Sequence, residues 1–225
     1  MLFRSAGDLT YQPPVYHDFT EFAYGLGCAD IDADGDQDAA AALRYSNRAV
    51  VCVNDGSGNF VDAFYAVGSV PLDAMLVDVN GVDGPDLITA NSAANSITCR
   101  YNDGTGGFPT GTDFSVGTCP VHVIACDMDR NGRQDIVTAN RSDGTVSVLL
   151  NNGQGGFPSH VEYATGLLAP VNLASGDFDG ANGPDVVVVE LDPNGSHHQI
   201  AVLFNDGAGI WATPYSIRHK GLSSR

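Results

Sequence analysis

The sequence is short of positive charge and of long carboxylates. Among its 225 residues stand 9 Arg, 1 Lys and 3 Glu against 24 Asp, and the formal net charge is −17. Nucleic acid and anionic membrane surfaces are held by clustered Lys and Arg, so neither is an expected partner. Long apolar runs are also missing. Nothing approaches the roughly 20 residues of a spanning helix, so no membrane insertion is expected. No apolar h-region follows Met1-Leu2-Phe3-Arg4, so the start does not read as a signal peptide. The expectation is a leader already removed, or a piece of a longer chain. No segment sustains a 3.6-residue apolar period, which argues against helices. The five cysteines, Cys28, Cys52, Cys99, Cys119 and Cys126, show neither CxxC pairing nor zinc spacing. They read as small buried strand residues, and their odd number allows at most two internal disulfides. No GxSxG elbow or HExxH is present, and Glu21, Glu162 and Glu190 stand in no recurring context. The expectation is a protein that is not an enzyme.

What is present is Asp, in a pattern. Asp30-Ile31-Asp32-Ala33-Asp34-Gly35-Asp36-Gln37-Asp38 places acids at positions 1, 3, 5 and 9 of a nine-residue loop, with Gly at 6. Five carboxylates so close repel one another unless a cation lies between them. Ca²⁺ is a hard ion that takes six to eight oxygens, and a tight turn can aim Asp side chains and a backbone carbonyl at one centre. The opening resembles an EF-hand, but position 12 is Ala41 rather than Glu and the flanks are too short for helices. The loop recurs as Asp127-Met128-Asp129-Arg130-Asn131-Gly132-Arg133-Gln134-Asp135. Two altered copies run from Asp78 to Asp86 and from Asp177 to Asp185. These keep positions 1, 3 and 9 but lose the position-5 oxygen to Val82 or Ala181, with Asp83 or Asn182 one step later. Fourteen of the 24 Asp lie in the four loops, which is why the acids are short: turns and metal loops favour Asp over Glu.

The loops begin at Asp30, Asp78, Asp127 and Asp177, at spacings of 48, 49 and 50 residues. A second motif follows each: Asn54-Asp55-Gly56-Ser57-Gly58-Asn59-Phe60, then copies from Asn102 to Phe108, Asn151 to Phe157 and Asn205 to Trp211. The last interval is longer by four residues, which places an insertion at 192–198, holding His197 and His198; these read as exposed turn residues. Residues 5–11 fit the second motif weakly, so the chain opens within a repeat. Each repeat reads as four short strands. One precedes the Asp loop (74–77, 121–125, 171–174) and one follows it (87–90, 136–139, 186–189). A third precedes the Asn-Asp-Gly turn (50–53, 146–150, 200–204), and a fourth follows the aromatic (63–67, 113–116, 161–164). Asn-Gly and Asp-Gly supply the positive φ of tight hairpins. Four-stranded antiparallel units with a period in the forties read as blades of a β-propeller, an all-β fold.

The Asp loop with its following apolar run and the N-D-G-x-G-x-F turn together resemble the FG-GAP/VCBS repeats of the integrin α-subunit propeller and its bacterial relatives. The resemblance covers nearly the whole chain. It implies one Ca²⁺ per loop, between the first two strands of a blade. Carried over by position, the ligands are Asp30, Asp32, Asp34 and Asp38 with the Asp36 carbonyl, and Asp127, Asp129, Asn131 and Asp135 with the Arg133 carbonyl. The altered loops retain Asp78, Asn80 and Asp86, and Asp177, Asp179 and Asp185. All ligands come from one hairpin, so the metal is expected to be structural rather than water-activating. Tyr11, Phe60, Phe108, Phe157 and Trp211 recur once per repeat and are expected to lock each turn against a neighbouring blade.

The implied function is a calcium-binding recognition or adhesion module, extracellular or at the cell surface, that binds protein or glycan. A propeller lectin and a non-catalytic domain of a secreted hydrolase or lyase are the alternatives. The repeats divide the chain into a half-blade (1–20), blades at 21–67, 68–116, 117–165 and 166–220, and a tail (221–225). Propellers of this family usually have seven blades, so an open arc of a longer protein is expected, with neighbouring blades elsewhere. An arc exposes an apolar blade face at each end. The expected outcome for residues 1–225 alone is self-association in sedimentation; a cooperatively melting monomer would indicate a smaller closed ring.

Overall fold

The computed structural model describes residue 16, residues 19–191 and 199–207, and the backbone of strand 215–218. Most of the expected half-blade, the 192–198 insertion with His197 and His198, Tyr11 and Trp211 lie outside the described residues.

Among the described residues, sixteen strands form four antiparallel sheets, each a meander of four consecutive strands. The first blade is β1 (Ala23–Ala29), β2 (Asp38–Leu43), β3 (Arg48–Asn54) and β4 (Phe60–Ala66). The second is β5 (Pro71–Val77), β6 (Asp86–Asn91), β7 (Ser96–Tyr101) and β8 (Thr110–Ser115). The third is β9 (Pro120–Cys126), β10 (Asp135–Asn140), β11 (Thr145–Leu149) and β12 (His160–Ala164). The fourth is β13 (Pro170–Gly176), β14 (Asp185–Glu190), β15 (Gln199–Leu203) and β16 (Tyr215–Arg218). The strands begin earlier than the apolar runs alone suggest. Pro71, Pro120 and Pro170 open β5, β9 and β13, a place where the missing N–H of proline costs no ladder bond. Each is followed by a one-residue break in register.

The first strands of successive blades lie side by side, β1 against β5, β5 against β9 and β9 against β13. The core is therefore made between blades. Side chains alternate across each sheet. In β6, Leu87 enters the cluster shared with the first blade, while Ile88 and Ala90 enter the one shared with the third. In β10, Ile136 faces back and Val137 faces forward in the same way. Middle strands buried on both faces explain the unbroken apolar runs, which an antiparallel sheet with a wet face would interrupt. The first blade turns Ala40, Ala42, Ala49 and Val51 to the second. Its other face gathers Ala41, Leu43, Val50 and Cys52, with Phe19 and Phe60 against them.

Two of the recurring aromatics, Phe108 and Phe157, lie between blades as the repeats predict. Phe108 is buried between the first two blades, edge-on to Tyr65 at 5.3 Å. Phe157 is buried between the second and third, edge-on to Phe114 at 5.1 Å. The Asn that opens each turn is a second lock. Asn102 Nδ2 donates to the Ile31 carbonyl of the preceding blade (2.7 Å) and to Pro85 O (3.0 Å). Asn151 makes the same pair to Val79 O and Gln134 O, and Asn205 to Met128 O and Pro184 O. The cysteines are free thiols, with Cys52 and Cys99 buried and Cys28 exposed on β1.

Removing the Asn102 amide leaves two carbonyls without their donor at a blade junction. Asn102→Ala should cost about 2 kcal/mol in urea unfolding. Ala94→Ser, in an exposed turn, should stay within about 0.5 kcal/mol.

Candidate metal centre

The Asp loops span the β1–β2, β5–β6, β9–β10 and β13–β14 connections. Each is wound around its own acids. Asp30 Oδ2 accepts the Gly35 N–H at 3.0 Å, and Asp127 accepts the Asn131 and Gly132 N–H groups at 2.9 and 2.8 Å. In the altered loops Asp78 accepts from Asn80 and Gly81, and Asp177 from Gly180. Such side-chain-to-backbone bonds shape a turn without a regular ladder.

Position 9 is different. Asp38, Asp86, Asp135 and Asp185 are each at most 1% exposed. Each carboxylate accepts two backbone N–H groups. Asp38 takes Ile31 and Asn54, both at 2.8 Å. Asp86 takes Val79 and Asn102 at 3.1 and 2.9 Å. Asp135 takes Met128 and Asn151, and Asp185 takes Phe178 and Asn205, all at 2.8 Å. This acid clips the start of its own loop to the Asn-Asp-Gly turn. Burial pushes the carboxyls of Asp38 and Asp135 up, and that of Asp86 up to about 6, against the pull of the two N–H donors.

Three carboxylates converge in three loops. Oxygens of Asp30, Asp32 and Asp38, of Asp127, Asp129 and Asp135, and of Asp177, Asp179 and Asp185 lie within 4.8 Å of one another. Asp30 Oδ1 is buried and has no hydrogen-bond partner, an acceptor that a cation would satisfy. These all-oxygen, all-anionic sets fit a hard divalent cation. The fourth loop joins the convergence although it lacks a position-5 oxygen. The second loop has Asn80 in place of the middle acid, with Nδ2 3.5 Å from Asp86 Oδ1.

The position-5 groups also bond the backbone. Asp34 Oδ1 accepts the Asp36 N–H and Asn131 Oδ1 the Arg133 N–H, each at 2.9 Å, and Asp34 and Asp36 lie outside the triads. The side chains of Asp36 and Arg133 lie across the turn glycines Gly56 and Gly153. Asp83 and Asn182 lie over Gly104 and Gly207 in the same manner. The clip and clamp roles of the position-9 Asp and the turn Asn were not read from the sequence; their signal was the fixed spacing of 16 residues between them in the first three repeats.

A raised folded-state pKa means that the folded protein holds its proton more tightly than the unfolded chain. For Asp86 the ordinary value is 3.8 and the folded value about 6. Its contribution is complete below the lower value and is lost as pH rises through the upper one. With chelator present, stability should therefore fall across this window, and the fall should shrink in Asp86→Asn. Urea unfolding at closely spaced pH values measures both slopes, and an opposite wild-type slope would show that the N–H donors outweigh burial.

Comparison with known proteins follows the same lines. The family described as FG-GAP-like repeat matches residues 78–138 and again residues 127–188. A comparison with curated proteins gave no match. Among solved structures, the chain is similar to an Agrocybe aegerita lectin described by its specific recognition of non-reducing terminal N-acetylglucosamine. The identity is 20% and the TM-score 0.57, over 86% of this chain and 51% of the lectin. The chain thus spans about half of that protein's length, and the likeness is one of fold. The Tc holotoxin pore of Photorhabdus luminescens aligns with 94% of this chain and 10% of its own, at 17% identity and a TM-score of 0.44. Two FG-GAP-like repeats thus lie within this chain, and its four-stranded blades and shared fold are consistent with a β-propeller of such repeats.

Proposed function

We propose that the chain is a calcium-binding recognition module of an extracellular or cell-surface protein, with no catalysis of its own, and that it binds glycan or protein. The observation that carries the calcium reading is the convergence of Asp30, Asp32 and Asp38 around the buried, unpartnered Asp30 Oδ1. An all-oxygen set supplied by one flexible loop suits Ca²⁺, which tolerates irregular geometry, better than Mg²⁺, which demands an octahedron. The metal is structural in this reading. Its ligand Asp38 is also the clip that holds the Asn54 turn, so calcium would reinforce the hairpin from which the blade is built.

The recognition reading is supported by the fold. Propeller blades present many loops on a rigid body, where binding residues are commonly placed. The similarity in fold to a lectin favours glycan over protein as the first class to test.

Calcium should raise the melting midpoint and chelator should lower it, because the folded chain gathers ligands that the unfolded chain scatters. Asp30→Ala and Asp127→Ala should each remove more of this calcium-linked gain than Asp78→Ala, whose loop has Asn80 and Val82 where the first loop has acids. A midpoint indifferent to calcium would overturn the metal reading. For recognition, the protein should retain glycans on an array in calcium and release them in chelator.

A further inference from the structure

Where the chain passes from the first blade to the second, it leaves a cavity of about 270 Å³ lined by Ala66, Val67, Thr98, Arg100, Gly111 and Asp113. Arg100 is anchored by its own bonds, Nε to Ala66 O at 2.8 Å and Nη1 to Phe108 O at 3.4 Å. Asp113 is anchored separately: its Oδ1 accepts the Thr98 hydroxyl at 2.6 Å. Thr98 is buried, and its oxygen in turn accepts Asn91 Nδ2 and the Gly68 N–H at 2.9 and 3.1 Å. The guanidinium and the carboxylate share one cleft, yet among the described residues no ion pair joins them. Each is held in place by backbone or buried polar groups, with donors and acceptors left over.

The same place one blade earlier holds a second cavity, of about 240 Å³, between the entry segment and β3–β4. Phe64 pairs with Val50 there as Asp113 pairs with Thr98. Glu21, Arg48, Asp62 and Phe64 line it. Arg48 lies 4.9 Å over the Phe64 ring and 3.3 Å from Glu21 Oε1, while Glu21 Oε2 is buried and has no partner. The residues that hold the fold recur by identity at fixed positions, as the Asn and Asp locks do. These clefts instead recur in chemistry, with one guanidinium and at least one carboxylate, on different residues.

We infer that the two clefts are repeat-related subsites for single neutral sugar units of a glycan. This rests on the recognition reading above. A sugar hydroxyl both donates and accepts, so neighbouring hydroxyls satisfy a carboxylate and a guanidinium at once, in charge-assisted bonds. Phe64, half exposed beside Arg48, adds apolar area that the C–H groups of a pyranose ring can cover. The net charge of −17 opposes sialylated or sulfated glycans and leaves neutral ones favoured. Two such sites on one rigid body would add avidity to weak single contacts.

The test pairs a glycan array with saturation-transfer NMR in calcium, using glucose, galactose, mannose, fucose and N-acetylglucosamine, with sialic acid and glycine as counter-probes. At least one neutral sugar should bind, with a dissociation constant on the order of 1 mM. Asp113→Asn keeps an acceptor for Thr98 and should leave the melting midpoint unchanged. It should still weaken array binding about tenfold, and adding Arg48→Gln should abolish it. Array binding untouched by Asp113→Asn, Arg48→Gln and the double variant would overturn the cleft assignment while leaving the recognition reading in place. Preference for sialic acid or glycine would overturn the ligand class. Loss of every glycan signal, with the calcium shift intact, would overturn both the clefts and the glycan reading but not the metal.

Discussion

The fold depends on a buried carboxylate with two jobs. In each blade the position-9 Asp accepts one N–H from its own loop and one from the Asn that opens the distant turn. That Asn then uses its side-chain amide on the preceding blade. A chain of contacts thus runs from acid to turn to neighbouring blade and repeats at every junction between described blades. A blade that buries apolar surface on both sides has no wet face on which to place unsatisfied polar groups. The clip and clamp satisfy the loop ends that would otherwise be stranded there. Apolar burial supplies most of the driving force between blades; the polar locks set which register the blades adopt.

The same carboxylate ties the metal question to the fold. An acid that accepts two N–H groups still has lone pairs free, so clip and ligand are compatible roles for Asp38. Burial has the opposite effect, since it raises the cost of keeping the acid charged. A cation beside the acid lowers that cost. A bound metal and an intact hairpin therefore favour one another.

The blades were legible because two motifs recur at nearly constant spacing, and because alternation with tight turns permits few other arrangements. The prolines at the starts of β5, β9 and β13 hid the true strand ends, since proline reads as a breaker unless its place at the first residue is known. The triads at positions 1, 3 and 9 were legible from spacing alone. At position 5, Asp34 and Asn131 each accept the N–H two residues on, a local bond that spacing does not reveal and that leaves their other lone pairs free. Nor does spacing show that Asp83 and Asn182 are set by backbone shape. They stand at φ of 61° and 62° where the first and third loops have Gly35 and Gly132 at 94° and 83°.

That last substitution separates two kinds of recurrence. Asp and Asn tolerate left-handed backbone better than other residues with a side chain. Asp83 or Asn182 keeps the left-handed φ of that position and adds a side chain over Gly104 or Gly207. Position 4 makes the same point from the other side, because Ala33 and Arg130 accept φ near 60° where the altered loops use Gly81 and Gly180. The left-handed backbone is shared at positions 4 and 6 while residue types shift, and the path departs at position 7, where only the altered loops have a left-handed residue, Gly84 or Gly183. Where a position serves the path, its φ recurs and its identity may be exchanged only among residues that fit that φ. Where a position is less bound to the path, as at Arg100 and Asp113 against Cys52 and Phe64, residues differ between blades. A cation and a carboxylate facing one cavity at both such places are therefore not demanded by the fold, and that is the physical reason to assign the clefts, rather than the recurring motifs, to recognition.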